Sequence, residues 1–92
     1  MIPVRRLVWD NWNVNHIARH QVTPEEVEQV CHALHVVRES YKDRLLMIGP
    51  TRSGRMLAVV LDPEGDDVYY VVTARVADRR ERRIYQEETR SA

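Results

Sequence analysis

The stretch that decides the fold runs Val68-Tyr69-Tyr70-Val71-Val72-Thr73-Ala74-Arg75-Val76-Ala77-Asp78-Arg79-Arg80-Glu81-Arg82-Arg83-Ile84-Tyr85. From Val68 to Ala74 it is β-branched, aromatic and almost wholly apolar, the composition of a central strand covered on both faces. Arg75 falls where that strand should end. Asp78 then offers an N-cap oxygen, and Glu81, three residues later, completes Asp-x-x-Glu, the pattern of a capping box. A short helix is expected from Arg79 to about Glu88. One buried strand thus carries an arginine to its own end and continues into a helix bearing Arg79, Arg80, Arg82 and Arg83. Guanidinium groups match phosphate oxygens in a fixed fork geometry, so the stretch reads as a phosphate-facing site. It also reads as a strand followed by a solvated helix whose arginines pair with Glu81, Glu87 and Glu88.

Working outward, 92 residues make one domain over positions 1–92 with a core of modest size. The hydrophobic fraction of 43% argues against disorder. No apolar run approaches the roughly 20 residues that span a bilayer. The opening Met-Ile-Pro-Val-Arg-Arg has no apolar signal segment after its charges, so a cytoplasmic location is the expectation. Cys31 is the single cysteine; it has no internal partner and falls on an inward helix face, as a small core residue does. Net charge is zero, so bulk electrostatics does not predict nucleic-acid binding. The distribution says more. Acids cluster at Glu25–Glu28 and Asp62–Asp67, whereas arginines crowd between Arg75 and Arg83.

Before the deciding stretch, Arg5 to Trp9 reads as a short strand, and Asp10 or Asn11 can cap the helix after it. Asn13 to His20 spans about two helical turns, with Val14, Ile17 and Ala18 on one inward stripe. Gln21-Val22-Thr23 breaks that helix. Thr23 as N-cap, Pro24 at the first helical position and Glu26 completing Thr-x-x-Glu start the next. Val27, Val30, Cys31 and Leu34 then form its core stripe. His32 and His35 flank its end, where a cation favours the dipole. Val36–Glu39, Arg44–Gly49, Arg55–Leu61 and Val68–Arg75 read as strands, the last three joined by turns at Pro50–Gly54 and Asp62–Asp67. The fold class expected is α+β: a small antiparallel meander, two N-terminal helices and one C-terminal helix, with the helices on one face of the sheet.

Two constellations on the first helices have more than one reading. His16 and His20 have the i, i+4 spacing that binds zinc on a helix face, but Ile17 stands where a metalloprotease has its general base. They also serve as polar residues at a helix end, or as proton carriers and RNA contacts. The two helices around Gln21-Val22-Thr23 resemble a helix-turn-helix, whose recognition helix would lead with Glu25, Glu26 and Glu28, which phosphates repel. There is no Gly-rich phosphate loop, P-loop lysine or nucleophile-elbow serine. No metal and no cofactor are expected.

Taken together, these pieces resemble the BrnT-type toxins of bacterial type II toxin–antitoxin pairs. The residues that carry the resemblance are Trp9-Asp10, then Asn15, then Arg19-His20-x-Val22-Thr23-x-Glu25-Glu26-Val27. Gly49 and Gly54-Arg55 come next, in the meander. Thr73-Ala74-Arg75 and Arg79-Arg80-Glu81-Arg82-Arg83-x-Tyr85 close the match. Asn11-Trp12-Asn13 stands where the family usually carries a lysine, and the chain is neutral where family members are typically basic.

The resemblance implies a compact fold related to the RelE-like ribonucleases, RNA cleavage that inhibits translation, and neutralisation by a cognate antitoxin with a DNA-binding part. A binding module of the same fold without catalysis is the alternative. The implied chemistry is metal-independent phosphoryl transfer within RNA. Arg75 is the expected charge stabiliser, His20 the expected proton carrier and Glu81 its alternate. Arg79, Arg82, Arg19 and His16 are the expected RNA contacts, and Tyr85 is expected to stack on a base or to pack on the sheet. An acidic segment of the antitoxin is expected to mask the surface near Arg75–Arg83. Arg75→Ala is expected to leave melting nearly unchanged.

Overall fold

Apolar runs punctuated by turn residues fold the second half of the chain into strands. The computed structural model describes residues 1–90. Its elements are β1 (Arg6–Val8), α1 (Asn11–Ala18), α2 (Pro24–His32), β2 (Val36–Glu39), β3 (Leu45–Pro50), β4 (Met56–Gly65), β5 (Val68–Val76) and α3 (Arg79–Arg90). Among these residues no helix is long and apolar enough to cross a membrane. β2 through β5 pair as consecutive antiparallel neighbours. β4 outruns its expected end, because Asp62-Pro63-Glu64-Gly65 is strand rather than turn. Only Asp66 and Asp67 turn the chain, both at positive φ (55° and 60°), the two-residue geometry whose twist suits a hairpin. A register shift between Pro63 and Gly65 accommodates a proline that has no N–H for the ladder.

The sheet order is β1-β5-β4-β3-β2, and β1 runs parallel to β5, with Leu7 opposite Tyr69. The sheet is therefore mixed, which corrects the purely antiparallel expectation. No turn fixes the direction of β1; a buried side chain does. Asn13 is 0% exposed, and its amide donates to the carbonyls of Val8 (2.9 Å) and Val71 (3.0 Å). Its Oδ1 accepts from the Asp10 N–H at 2.9 Å, half of a capping box that starts α1. One asparagine thus ties β1, α1 and β5 together, with its polar atoms satisfied inside the core.

Helices cover both faces of the sheet, which corrects the single-face arrangement. Alternation along β3 explains why: Met47 packs with α1 and α2, while Ile48 and Leu46 face the other way, toward α3. The larger core joins Ile17, Val27, Val30, Leu57, Val59, Leu61 and Val71; each such side chain contributes about 1.5–3 kcal/mol by leaving water. The smaller joins Ile48, Ala58 and Ala77 with half-buried Ile84 and Tyr85 of α3. Val68, Val71 and Ala74 are buried, whereas Tyr70, Val72 and Thr73 are half-buried.

The stripe of α2 is buried at Val27, Val30 and Cys31 as its period requires, but Leu34 is 50% exposed. The helix stops at His32 and Ala33 turns extended (φ −95°, ψ 173°), so the helical period never reaches Leu34. His35 enters the core instead. Its Nδ1 lies 3.0 Å from the Ala33 carbonyl and 3.2 Å from that of Val30, and its Nε2 accepts the Ile2 N–H at 3.1 Å. A ring nitrogen that accepts an N–H carries no proton, so the imidazole is neutral. Burial also holds its pKa below the ordinary 6.5. The expected cation at the end of α2 is therefore absent at His35. Gly49 passes so close that an added Cβ would lie 3.0 Å from the His35 Cβ.

Candidate functional site

The capping box of α3 forms as its sequence requires: Glu81 N–H donates to Asp78 Oδ1 (2.8 Å), and Asp78 N–H donates to Glu81 Oε1 (2.9 Å). Arg75, at the end of β5, reaches the same carboxylate. Its Nη1 donates to Glu81 Oε1 at 2.7 Å and its Nη2 to Oε2 at 2.8 Å. The side chains are 43% and 9% exposed respectively. The Arg75 hydrogen bonds pull the Glu81 pKa below its ordinary value against the opposing pull of burial, and Glu81 in turn raises that of Arg75. Glu81 is thus a carboxylate with both oxygens occupied. The fork takes the Nη1/Nη2 end of the guanidinium. The outer edge, Nε–H with the second Nη2 hydrogen, bonds to no described residue, and that edge is the side-on fork an oxyanion fits.

The other arginines of α3 are exposed. Arg82 donates to the Ala77 carbonyl at 2.7 Å, which leans its head back toward the start of the helix. Glu88 pairs with Arg38 of β2 rather than with an arginine of its own helix. Tyr85 packs its ring on the smaller core and donates its hydroxyl to the Leu34 carbonyl at 3.1 Å. Its ring is occupied by the sheet rather than offered to a base.

A second group forms on α1. Trp12 and His16 fall at i and i+4 on α1, neighbours on one helix face, and His20 follows in the turn just past the helix end. Trp12 and His16 stack with ring centroids 4.7 Å apart and planes within 8°. His20 meets His16 edge-on at 5.5 Å. Arg19 joins Asn11, Trp12, Asn15 and His16 around a shallow groove of about 430 Å³. Among the described residues no group of three or more His, Cys, Asp or Glu is arranged to hold a metal ion. A larger groove, about 610 Å³, runs between α2 and the β3–β4 turn. Its Glu28 already accepts from Trp9 Nε1 at 3.0 Å.

The two groups meet at β5. Beyond Tyr70 that strand has no neighbour on the β1 side among the described residues, and α1 covers the gap. His16 Nε2 lies 3.1 Å from Thr73 Oγ1. Thr73 and Arg75 pair with Val60 and Ala58 with no register shift between them, so their side chains leave the same face of the strand about 7 Å apart. Thr73 thus links His16 of α1 to the face of β5 that carries Arg75 and its partner Glu81, while Arg19 and His20 lie on the His16 side. Sequence reasoning missed Trp12, Thr73 and Asn13. The i, i+4 spacing of Trp12 and His16 was the signal for Trp12; Thr73 carried none, because its role exists only across the strand edge, and Asn13 signalled only its half of the Asp10 capping box.

Comparison of the chain with protein-family profiles and with curated protein sequences gives no match.

Proposed function

We propose that this protein is a ribonuclease toxin of the BrnT type, with a RelE-like fold, that cleaves RNA without a metal and is neutralised by a partner antitoxin. The observation that supports the reading is the contact of His16 with Thr73, whose side chain leaves β5 on the same face as that of Arg75. That pairs a proton carrier with a guanidinium on a rigid strand end, the two elements that intramolecular phosphoryl transfer requires. In the reaction the 2′-oxygen bonds to phosphorus as its proton passes to a histidine. The outer edge of Arg75 neutralises the charge that gathers on the phosphorane. The P–O5′ bond breaks and the 5′-oxygen takes up a proton from water, the histidine returning its own to solvent, giving a 2′,3′-cyclic phosphate and a 5′-hydroxyl. His16 takes the role expected of His20, since it is His16 that bonds Thr73 of β5. Glu81 positions Arg75 rather than moving protons, because both its oxygens are engaged. Arg19, Arg79 and Arg82 hold flanking phosphates, and an acidic antitoxin segment covers them in the neutralised complex.

The test is cleavage of single-stranded RNA by purified protein with a chelator present. Products ending in 2′,3′-cyclic phosphate are expected, together with growth arrest on induction that a neighbouring antitoxin gene relieves. Loss of cleavage on chelation, or intact RNA with no growth arrest, rejects the reading. One observation favours a second, non-catalytic reading. The Arg75–Glu81 fork alone is what a structural brace looks like, and a folded protein that binds RNA without cutting it supports a binding module.

A further inference from the structure

We propose that Trp12 is a stacking platform for one nucleobase of single-stranded RNA, an inference that rests on reading the protein as RNA-binding. Trp12 is 58% exposed, although its ring is not left over from the core. One face is backed by the parallel ring of His16, and His16 is in turn fixed against Thr73. The other face is turned to solvent. A base needs a flat, pre-positioned π surface, and its stacking tolerates any sequence. A stacked ring held from behind loses little freedom when a base arrives.

The surroundings fit a nucleotide better than a protein. The groove beside Trp12 is lined by Asn11, Asn15, His16 and Arg19. Two amides can pair with base edges, one guanidinium matches a phosphate, and among the described residues no carboxylate or aliphatic side chain lines it. A protein hot spot would set the tryptophan among apolar neighbours. Through His16 and Thr73 the platform leads toward Arg75, so a base on Trp12 holds its strand along the path to the proposed scissile phosphate.

The experiment separates binding from chemistry. The probe is a dye-labelled single-stranded RNA oligomer, 2′-O-methylated throughout, so that the attacking hydroxyl is blocked; anisotropy reads its affinity. A matching oligomer with abasic positions is the control. Trp12→Ala is expected to weaken binding of the base-bearing oligomer about 5- to 150-fold, the range for one stacked base. Trp12→Phe should restore most of it, and the abasic oligomer should bind wild type and Trp12→Ala alike. Melting curves establish that both variants fold; a Trp12→Ala that fails to fold transfers the test to the Phe variant and the abasic pair. Equal affinity of wild type and Trp12→Ala overturns the proposal while leaving cleavage to be judged separately. Loss of antitoxin capture in Trp12→Ala with RNA affinity unchanged also overturns it, by assigning the surface to a protein. Trp12-dependent binding without cleavage supports the platform and rejects the nuclease.

Discussion

Two arginine–glutamate pairs brace the two long helices of this protein in the same way, and they differ in what stands beside them. In α2, Glu26 closes the Thr23 capping box and is gripped by Arg55, whose Nη1 lies 3.0 Å from each carboxylate oxygen. In α3, Glu81 closes the Asp78 box and is gripped by Arg75. Arg75 near the end of β5 and Arg55 just before β4 thus each lock the first turn of a helix onto the sheet. Burial pushes the Glu26 pKa up, but the Thr23 and Arg55 hydrogen bonds outweigh it, and the Arg75 bonds do the same for Glu81, so both carboxyls sit below their ordinary value. The same Nη1 of Arg55 also donates to the Gln21 carbonyl at 2.7 Å, in the turn between α1 and α2, where no histidine or aromatic ring is bonded to it. Arg75 is more open, and Thr73, two residues before it on the same strand face, is bonded to His16. An ion pair of this kind reports structure; its neighbourhood decides whether it also does chemistry.

The largest expected effect breaks the symmetry. Arg75→Ala should lower single-turnover RNA cleavage about 10²–10³-fold, the usual cost of one donor to a developing oxyanion. Arg55→Ala, assayed well below its melting point, should stay close to wild type. Equal losses in the two variants would mean that Arg75 acts only through the fold.

Next comes stability, where the pairs should look alike. Each is only partly buried, so its cost lies between that of a surface pair and that of a buried one. Removing either arginine is expected to cost about 2 kcal/mol, or roughly 8–16 °C in melting temperature for a domain of this size. For Arg75 this expectation replaces that of nearly unchanged melting, because its loss leaves a nearly buried carboxylate behind. Activity must therefore be compared at a temperature where every variant is folded.

The acid limb sharpens the comparison further. Both glutamates have depressed pKa values, so both contribute stability that is complete above the ordinary 4.5 and is lost as pH falls through the folded values. Denaturant midpoints measured from pH 6 to 2 should fall less steeply below 4.5 in Glu26→Gln and in Glu81→Gln, by similar amounts. A loss that begins nearer 6.5 belongs to His35, which is buried neutral while the unfolded chain takes up a proton. Smallest is the cap itself. Thr23→Ala and Asp78→Ala should each cost about 1 kcal/mol by chemical denaturation, and a much larger loss at Asp78 alone would show that the α3 brace depends on its cap.

Local signals were legible because they act within a few residues. The capping boxes at Thr23 and Asp78, the stripe through Val27, Val30 and Cys31, and the last three strands follow from spacing alone. The direction of β1 was not legible, since Leu7 meets Tyr69 across most of the chain and no turn constrains it. Leu34 misled because the helical period says nothing about where a helix stops. Of the proposed site, the sequence offered Arg75, Glu81, His16, His20 and Arg19 as separate residues, and it offered Trp12 only as a departure from a family pattern.

The sequence by itself determined the fold class, the helix starts and the arginine delivered to a strand end, because propensity, capping and alternation are short-range. Tertiary structure alone decided the parallel β1 fixed by buried Asn13, the helices on both faces, the neutral core imidazole of His35, and the meeting of His16 with Thr73 beside Arg75. Asn13 meets Val71 58 positions away and His16 meets Thr73 57 away, and the Ile2 N–H reaches His35 across 33, although Asn13 also bonds nearby Val8 and His35 nearby Ala33 and Val30. Which distant groups meet is set by how the sheet is ordered and covered, and no local pattern encodes that.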